Sequence, residues 1–115
     1  MDRKKNAPEP GDIRGRTLDL AGLIGYQGGA VVSREIIRQK TGTVTVFAFD
    51  AGQQLSEHTA PFDAMVVGLD GEAEVSIAGK PHMVSRGQMI IMPAGVPHAL
   101  MALAKFKMLL VMIKS

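Results

Sequence analysis

From residue 30 to the end of the chain, apolar and polar positions alternate in short runs separated by turn residues, the pattern of β-strands that each turn one face to a core. Residues 43–49, TVTVFAF, are the clearest run, and Asp50-Ala51-Gly52 closes it. Further strands are expected near 55–60, 63–70, 73–78, 81–84, 88–92, 98–103 and 106–113. Turns at Asp70-Gly71, Gly79-Lys80, Arg86-Gly87, Pro93-Ala94-Gly95 and Ala104-Lys105 separate them. Residues 31–37 are ambiguous: Ser33 with Glu35 suits a helix start, but two β-branched pairs favour an extended strand. Eight or nine short strands at near-regular spacing predict a sandwich or barrel, and closure removes most of the edges that so small an all-β chain would expose.

Before residue 30 the pattern is different. Residues 1–16 read as a flexible leader, interrupted by Pro8, Pro10, Gly11 and Gly15. Leu18, Leu20, Leu23 and Ile24 form one helical turn or cover a barrel end. Residues 17–115 are then a single domain. The last run, FKMLLVMI, breaks the alternation, because both of its faces are apolar apart from Lys107. A strand with one face in water keeps that face polar. Something therefore covers the outside of this strand. A homodimer through an outer sheet face is expected, with the leader or the 31–37 strand crossing over. The alternative is that the chain's own N-terminal segment lies there.

Composition removes several functions. The chain of 115 residues has no cysteine, which excludes a disulfide framework and a thiol nucleophile and fits a cytoplasmic location. No run approaches the ~20 apolar residues of a membrane helix, and the charged start is not a secretory signal. The net charge of +2 resides in residues 1–16, where Arg3, Lys4, Lys5, Arg14 and Arg16 oppose Asp2, Glu9 and Asp12. The remainder balances eight basic against eight acidic residues. No phosphate-neutralising patch is visible in that body, and few aromatics exist for stacking, so nucleic acid is not an expected partner. Neither a G-x-S-x-G elbow nor a glycine-rich phosphate loop with a lysine occurs. Gly25, Gly28 and Gly29 lack the preceding strand and spacing of a dinucleotide fingerprint and read as turn residues.

Candidate chemistry concentrates on histidine. Gly87, five residues, Pro93, one residue, Gly95, two residues and His98 make GQMIIMPAGVPH. Gly87 suits a turn into a strand, Pro93 and Gly95 a bend in the chain, and His98 the start of the next strand. This segment resembles the second motif of the cupin superfamily, G-x5-P-x-G-x2-H, at every fixed position. Gly52 and His58, with Gly71 at the far end, resemble the outer parts of the first motif. That motif's second histidine falls on Ala60 and its glutamate on Ala64. The stretch EHTAPFDA and the ending FKMLLVMI look like a group of small single-domain bacterial cupins of no settled activity.

The resemblance implies an all-β, double-stranded β-helix (jelly-roll) barrel spanning about residues 43–113, with its site in the barrel cavity. Cupin metal centres usually take three histidines and one glutamate. Matching positions supply His58 and His98 alone, an incomplete set for a divalent transition metal. Asp63 and Glu57 have the wrong strand parity to join them, unless a bulge re-aims one. His82 is expected to be a buried or rim histidine with a hydrogen-bond partner. The expected ligand pocket comprises His58, Ala60, Ala64, Met92, His98 and Leu100, with His58 and His98 the candidate catalytic or metal-binding residues. Met92, beside Pro93, is the methionine expected to touch a ligand, the others filling core. Binding of a small polar molecule is the leading expectation. A metal-dependent isomerase, dioxygenase or lyase, and a structural dimer with a vestigial pocket, are the alternatives.

Overall fold

The computed structural model describes residues 11–114. After a short 3₁₀ turn at Leu20–Leu23, nine strands follow in order: β1 (Val31–Gln39), β2 (Gly42–Phe49), β3 (Gln54–His58), β4 (Ala64–Asp70), β5 (Glu72–Ile77), β6 (Lys80–Ser85), β7 (Met89–Met92), β8 (His98–Ala102) and β9 (Phe106–Ile113). Every neighbouring pair is antiparallel. The strands make two sheets, β1-β2-β9-β4-β7 and β3-β8-β5-β6, so the chain passes repeatedly between layers, as in a jelly roll. The ambiguous 31–37 segment is a strand, and β1 is the edge of the larger sheet. The expected leader lies mostly in residues outside those described. No helix among the described residues is long and apolar enough to cross a membrane.

The two inner faces meet in one core. Phe49, Phe106, Met108, Val66, Val75 and Val84 are almost fully buried within it, and Phe49 and Phe106 have ring centroids 5.9 Å apart. The alternation that betrays each strand in the sequence is the alternation that delivers these side chains to one side of each sheet.

The outer face of the larger sheet is divided. Val46 and Ala48 are fully buried although both belong to the outward set of β2. At their end of the sheet the N-terminal segment is tied down. Lys107 Nζ donates to the carbonyl of Ala21 at 2.7 Å, and Arg34 Nη1 to that of Leu23 at 3.4 Å. The Tyr26 hydroxyl donates to Asp70, and the Lys107 ammonium sits 5.0 Å from the Tyr26 ring centroid. Burial, and then Asp70, push the Tyr26 pKa upward, which keeps that donor protonated. The chain's own N-terminal segment thus covers part of the outer face.

Toward the opposite end a row that the described residues leave partly exposed crosses all five strands in register: Ile37, Val44, Val111, Met65 and Ile91. It contains no polar side chain. Ile37 and Ile91 are each 52% exposed, and Ile113 beside them is 59% exposed.

Candidate functional site

The imidazoles of His58 and His98 reach the barrel mouth by different local devices. His98 opens β8, whose inward set continues through Leu100 and Ala102, all three buried. On β3, Leu55 pairs with Leu100 and His58 with His98, so three steps on one strand match two on the other. Leu55 faces the cavity, and simple alternation from it would send Glu57 inward and His58 outward. The extra residue, a β-bulge, reverses that parity and delivers the imidazole instead of the carboxylate. Glu57 is exposed.

His58 Nε2 and His98 Nε2 lie 3.1 Å apart, with ring centroids at 4.3 Å and planes inclined at 71°. Each ring's other nitrogen meets a backbone carbonyl: His58 Nδ1 donates to Ser56 at 2.8 Å, and His98 Nδ1 to Val96 at 3.3 Å. A carbonyl oxygen only accepts, so these contacts assign the proton to Nδ1 in both rings. In neutral rings both Nε2 atoms are then bare lone pairs pointed at one another. One proton, or one cation, between them satisfies the pair. Two do not fit easily. Burial, and secondarily the His58 ring, hold the His98 pKa below the ordinary histidine value, against a smaller upward pull from the Val96 carbonyl.

All six expected pocket residues, His58, Ala60, Ala64, Met92, His98 and Leu100, line one cavity of about 60 Å³. Its remaining wall is apolar and includes Leu55, Val66, Met108, Leu110 and Met112. The β9 contribution went unnoticed in the sequence, although the inward parity of 108, 110 and 112 follows from the burial of Phe106. Both apolar faces of FKMLLVMI drew attention outward instead.

The remaining polar candidates are elsewhere. Asp63 turns to the mouth, where its Oδ1 accepts the Ala94 N–H at 2.8 Å. It holds the Pro93-Ala94-Gly95 turn, and no bulge aims it into the cavity. A second bond crosses the same rim, from the Gly95 N–H to the Ala60 carbonyl at 2.8 Å. His82 departs from the expectation of a buried or rim histidine with a partner. It shares a face with buried Val84 but is exposed, because β6 is a sheet edge and its first four residues extend past the cover of the larger sheet. Among the described residues no group of three or more His, Cys, Asp or Glu could hold a metal ion. Two imidazoles without a carboxylate do not fit the three-ligand zinc or two-histidine, one-carboxylate iron centres of known chemistry.

Comparison with known proteins agrees with this architecture. The family described as Cupin domain (Cupin_2) matches residues 45–114. A conserved protein of unknown function from Streptococcus pyogenes is 40% identical over 89% of this chain and 90% of its own, with a TM-score of 0.85. A cupin 2 conserved barrel domain protein from Leptotrichia buccalis is 37% identical over 84% of this chain, with a TM-score of 0.80, and the match spans 47% of that longer protein. A cupin superfamily protein from Desulfitobacterium hafniense is 25% identical over 89% of this chain and 94% of its own, with a TM-score of 0.84. No functionally curated protein matches the chain.

Proposed function

Because the chain belongs to the Cupin_2 family of cupin domains, we propose that it binds a small molecule in the barrel cavity, gripping an acceptor or anionic group with the paired imidazoles. The observation that carries this is the facing of two Nε2 atoms at 3.1 Å, with both Nδ1 atoms committed to carbonyls. One proton taken up by such a pair makes an imidazolium Nε2–H, which a carboxylate oxygen entering beside the rings accepts as a charge-assisted hydrogen bond. The rest of the wall offers only apolar contact and selects an alkyl end. A cavity of about 60 Å³ has room for a few water-sized groups. Only a short-chain acid, or the head of a longer one whose tail emerges at the mouth, fits.

A metal-dependent enzyme is the less favoured reading, since the donor set lacks a third imidazole and a carboxylate. A vestigial pocket is disfavoured as well, because a buried imidazole such as His98 costs stability unless something compensates it. The test is titration of the full chain with formate, acetate, propionate and butyrate, alongside matched amines and amides, followed by histidine NMR shifts and melting temperature. Short carboxylates are expected to move both imidazole signals and raise the melting temperature, and His98→Ala to abolish the response. Equal responses to amines and amides, or none to any acid, would refute the reading.

We further propose that the partly exposed apolar row joins two copies of the chain about a two-fold axis. A charge-free surface crossing five strands is self-complementary, as an isologous interface requires, and residues 21–26 are tied down at the other end. Light scattering after size exclusion is expected to give twice the chain mass, and Ile91→Glu with Ile37→Glu the single mass. A wild-type chain that remains at single mass at high micromolar concentration contradicts the dimer.

A further inference from the structure

The cavity's unused chemistry is sulfur. Ala64, at the place where the resemblance expects a glutamate, has Met92 of β7 and Met112 of β9 as its Cα partners on the two sides. Neighbours directly opposite in a sheet project to the same face, and both methionines line the cavity with His58 and His98. With that of Met108, their thioethers are the side-chain heteroatoms of the cavity wall besides the imidazoles. The carboxylates that could have contributed oxygen are directed away: Asp63 to the Ala94 amide and Glu57 to solvent.

We propose that His58, His98 and the thioethers of Met92 and Met112 form a site for a soft monovalent cation, Cu(I). Three arguments converge. Thioether sulfur selects Cu(I) over the divalent ions that favour carboxylate or water, while imidazole accepts either class. Charge gives the second argument. A wall without carboxylate cannot neutralise a dication removed from water, whereas a monovalent ion brings only a single charge. Geometry supplies the third. Two metal–nitrogen bonds of about 2 Å span up to about 4 Å, so Nε2 atoms 3.1 Å apart are within reach of one ion. The Nδ1 bonds to Ser56 and Val96 hold the rings in the tautomer such an ion needs. Cu(I) takes the two Nε2 lone pairs and releases a proton wherever the pair carries one, with no change of oxidation state. The inference rests on the same facing imidazoles as the small-molecule reading and not on any acid occupying the cavity.

The experiment is an anaerobic titration of the full chain with Cu(I) against a chromogenic Cu(I) chelator, paired with an Ag(I) titration followed by methionine ε-methyl NMR. One equivalent is expected to bind, with the Met92 and Met112 methyls shifting together. His98→Ala should weaken Cu(I) at least 100-fold, and the volume-conserving pair Met92→Leu and Met112→Leu at least tenfold. Met101→Leu, on the exposed face of β8, should change nothing. Failure of the wild type to hold one equivalent, Zn(II) binding as tightly as Cu(I), or a double leucine variant equal to wild type would overturn the site. Should the leucine variants fold poorly, the wild-type methyl shifts decide alone, since an ion bound elsewhere leaves both unmoved. A chain that binds Cu(I) yet ignores short carboxylates refutes only the small-molecule reading, and the reverse result refutes only this one.

Discussion

Replacing Gly71 by alanine tests how the β4–β5 turn sets the position of β9. Gly71 has φ of +73°, and a Cβ built there meets the Lys105 carbonyl oxygen at 1.8 Å and the Phe106 Cα at 3.2 Å. Real Cβ contacts essentially never fall under 3.0 Å, so the backbone must part by about 1.2 Å. The moving atoms are the first of β9, where Phe106 is fully buried in the core. Gly79 is the matched control: its φ is +78°, and a Cβ there meets nothing within 4 Å. Gly79→Ala carries only the left-handed penalty, about 1–2 kcal/mol. Gly71→Ala adds core displacement, about 1–3 kcal/mol by analogy with overpacking. At roughly 4 °C per kcal/mol, Gly71→Ala should melt about 4–12 °C below Gly79→Ala. The chain has no tryptophan, so far-UV circular dichroism through thermal and urea unfolding is the suitable probe. Equal losses in the two variants would show that the Lys105–Phe106 approach exerts no constraint, and the reasoning would fail.

Acidification should destabilise the fold through His98. Its pKa is lowered, by burial first and the neighbouring His58 second. Below the ordinary histidine value of about 6.5 the unfolded chain therefore binds more protons there than the folded one, and stability falls with pH. The contribution is complete above that value. Urea midpoints measured from pH 7.5 to 5 check this, and a slope that His98→Gln fails to flatten would remove His98 as its cause. Asp63→Ala deletes the acceptor for the Ala94 amide and should cost about 0.5–1.5 kcal/mol, with Asp63→Asn, whose Oδ1 still accepts, restoring most of it. Unchanged melting in Asp63→Ala would mean the turn stands without that bond.

The strand pattern was legible because in this fold most strands turn one face to the core, and period-two alternation marks a one-sided strand clearly. Each strand boundary lies within two residues of the expected one, with positive-φ glycines at Gly52, Gly71, Gly79, Gly87 and Gly95 marking the turns. The motif glycines and His98 likewise announced the barrel mouth. Other features were hidden for specific reasons. Alternation cannot reveal a bulge, because the extra residue between Leu55 and His58 is defined by its pairing with β8, not by its neighbours in sequence. His82 was misjudged because parity tells which way a side chain points and not whether another sheet lies above it. The double apolar character of β9 signalled a cover without distinguishing its sources. The N-terminal segment supplies that cover at one end, through Lys107 and Tyr26, and none of its described residues is tied down at the other.

The two hydrogen bonds across the mouth have a consequence for entry. Asp63 holds Ala94, and Ala60 holds Gly95, so the loops carrying the two halves of the motif pair are stitched to each other at the rim. An aperture laced in this way does not gape to admit a bulky visitor. Under the proposed small-molecule reading, that rim would sort ligands by girth before either imidazole is reached.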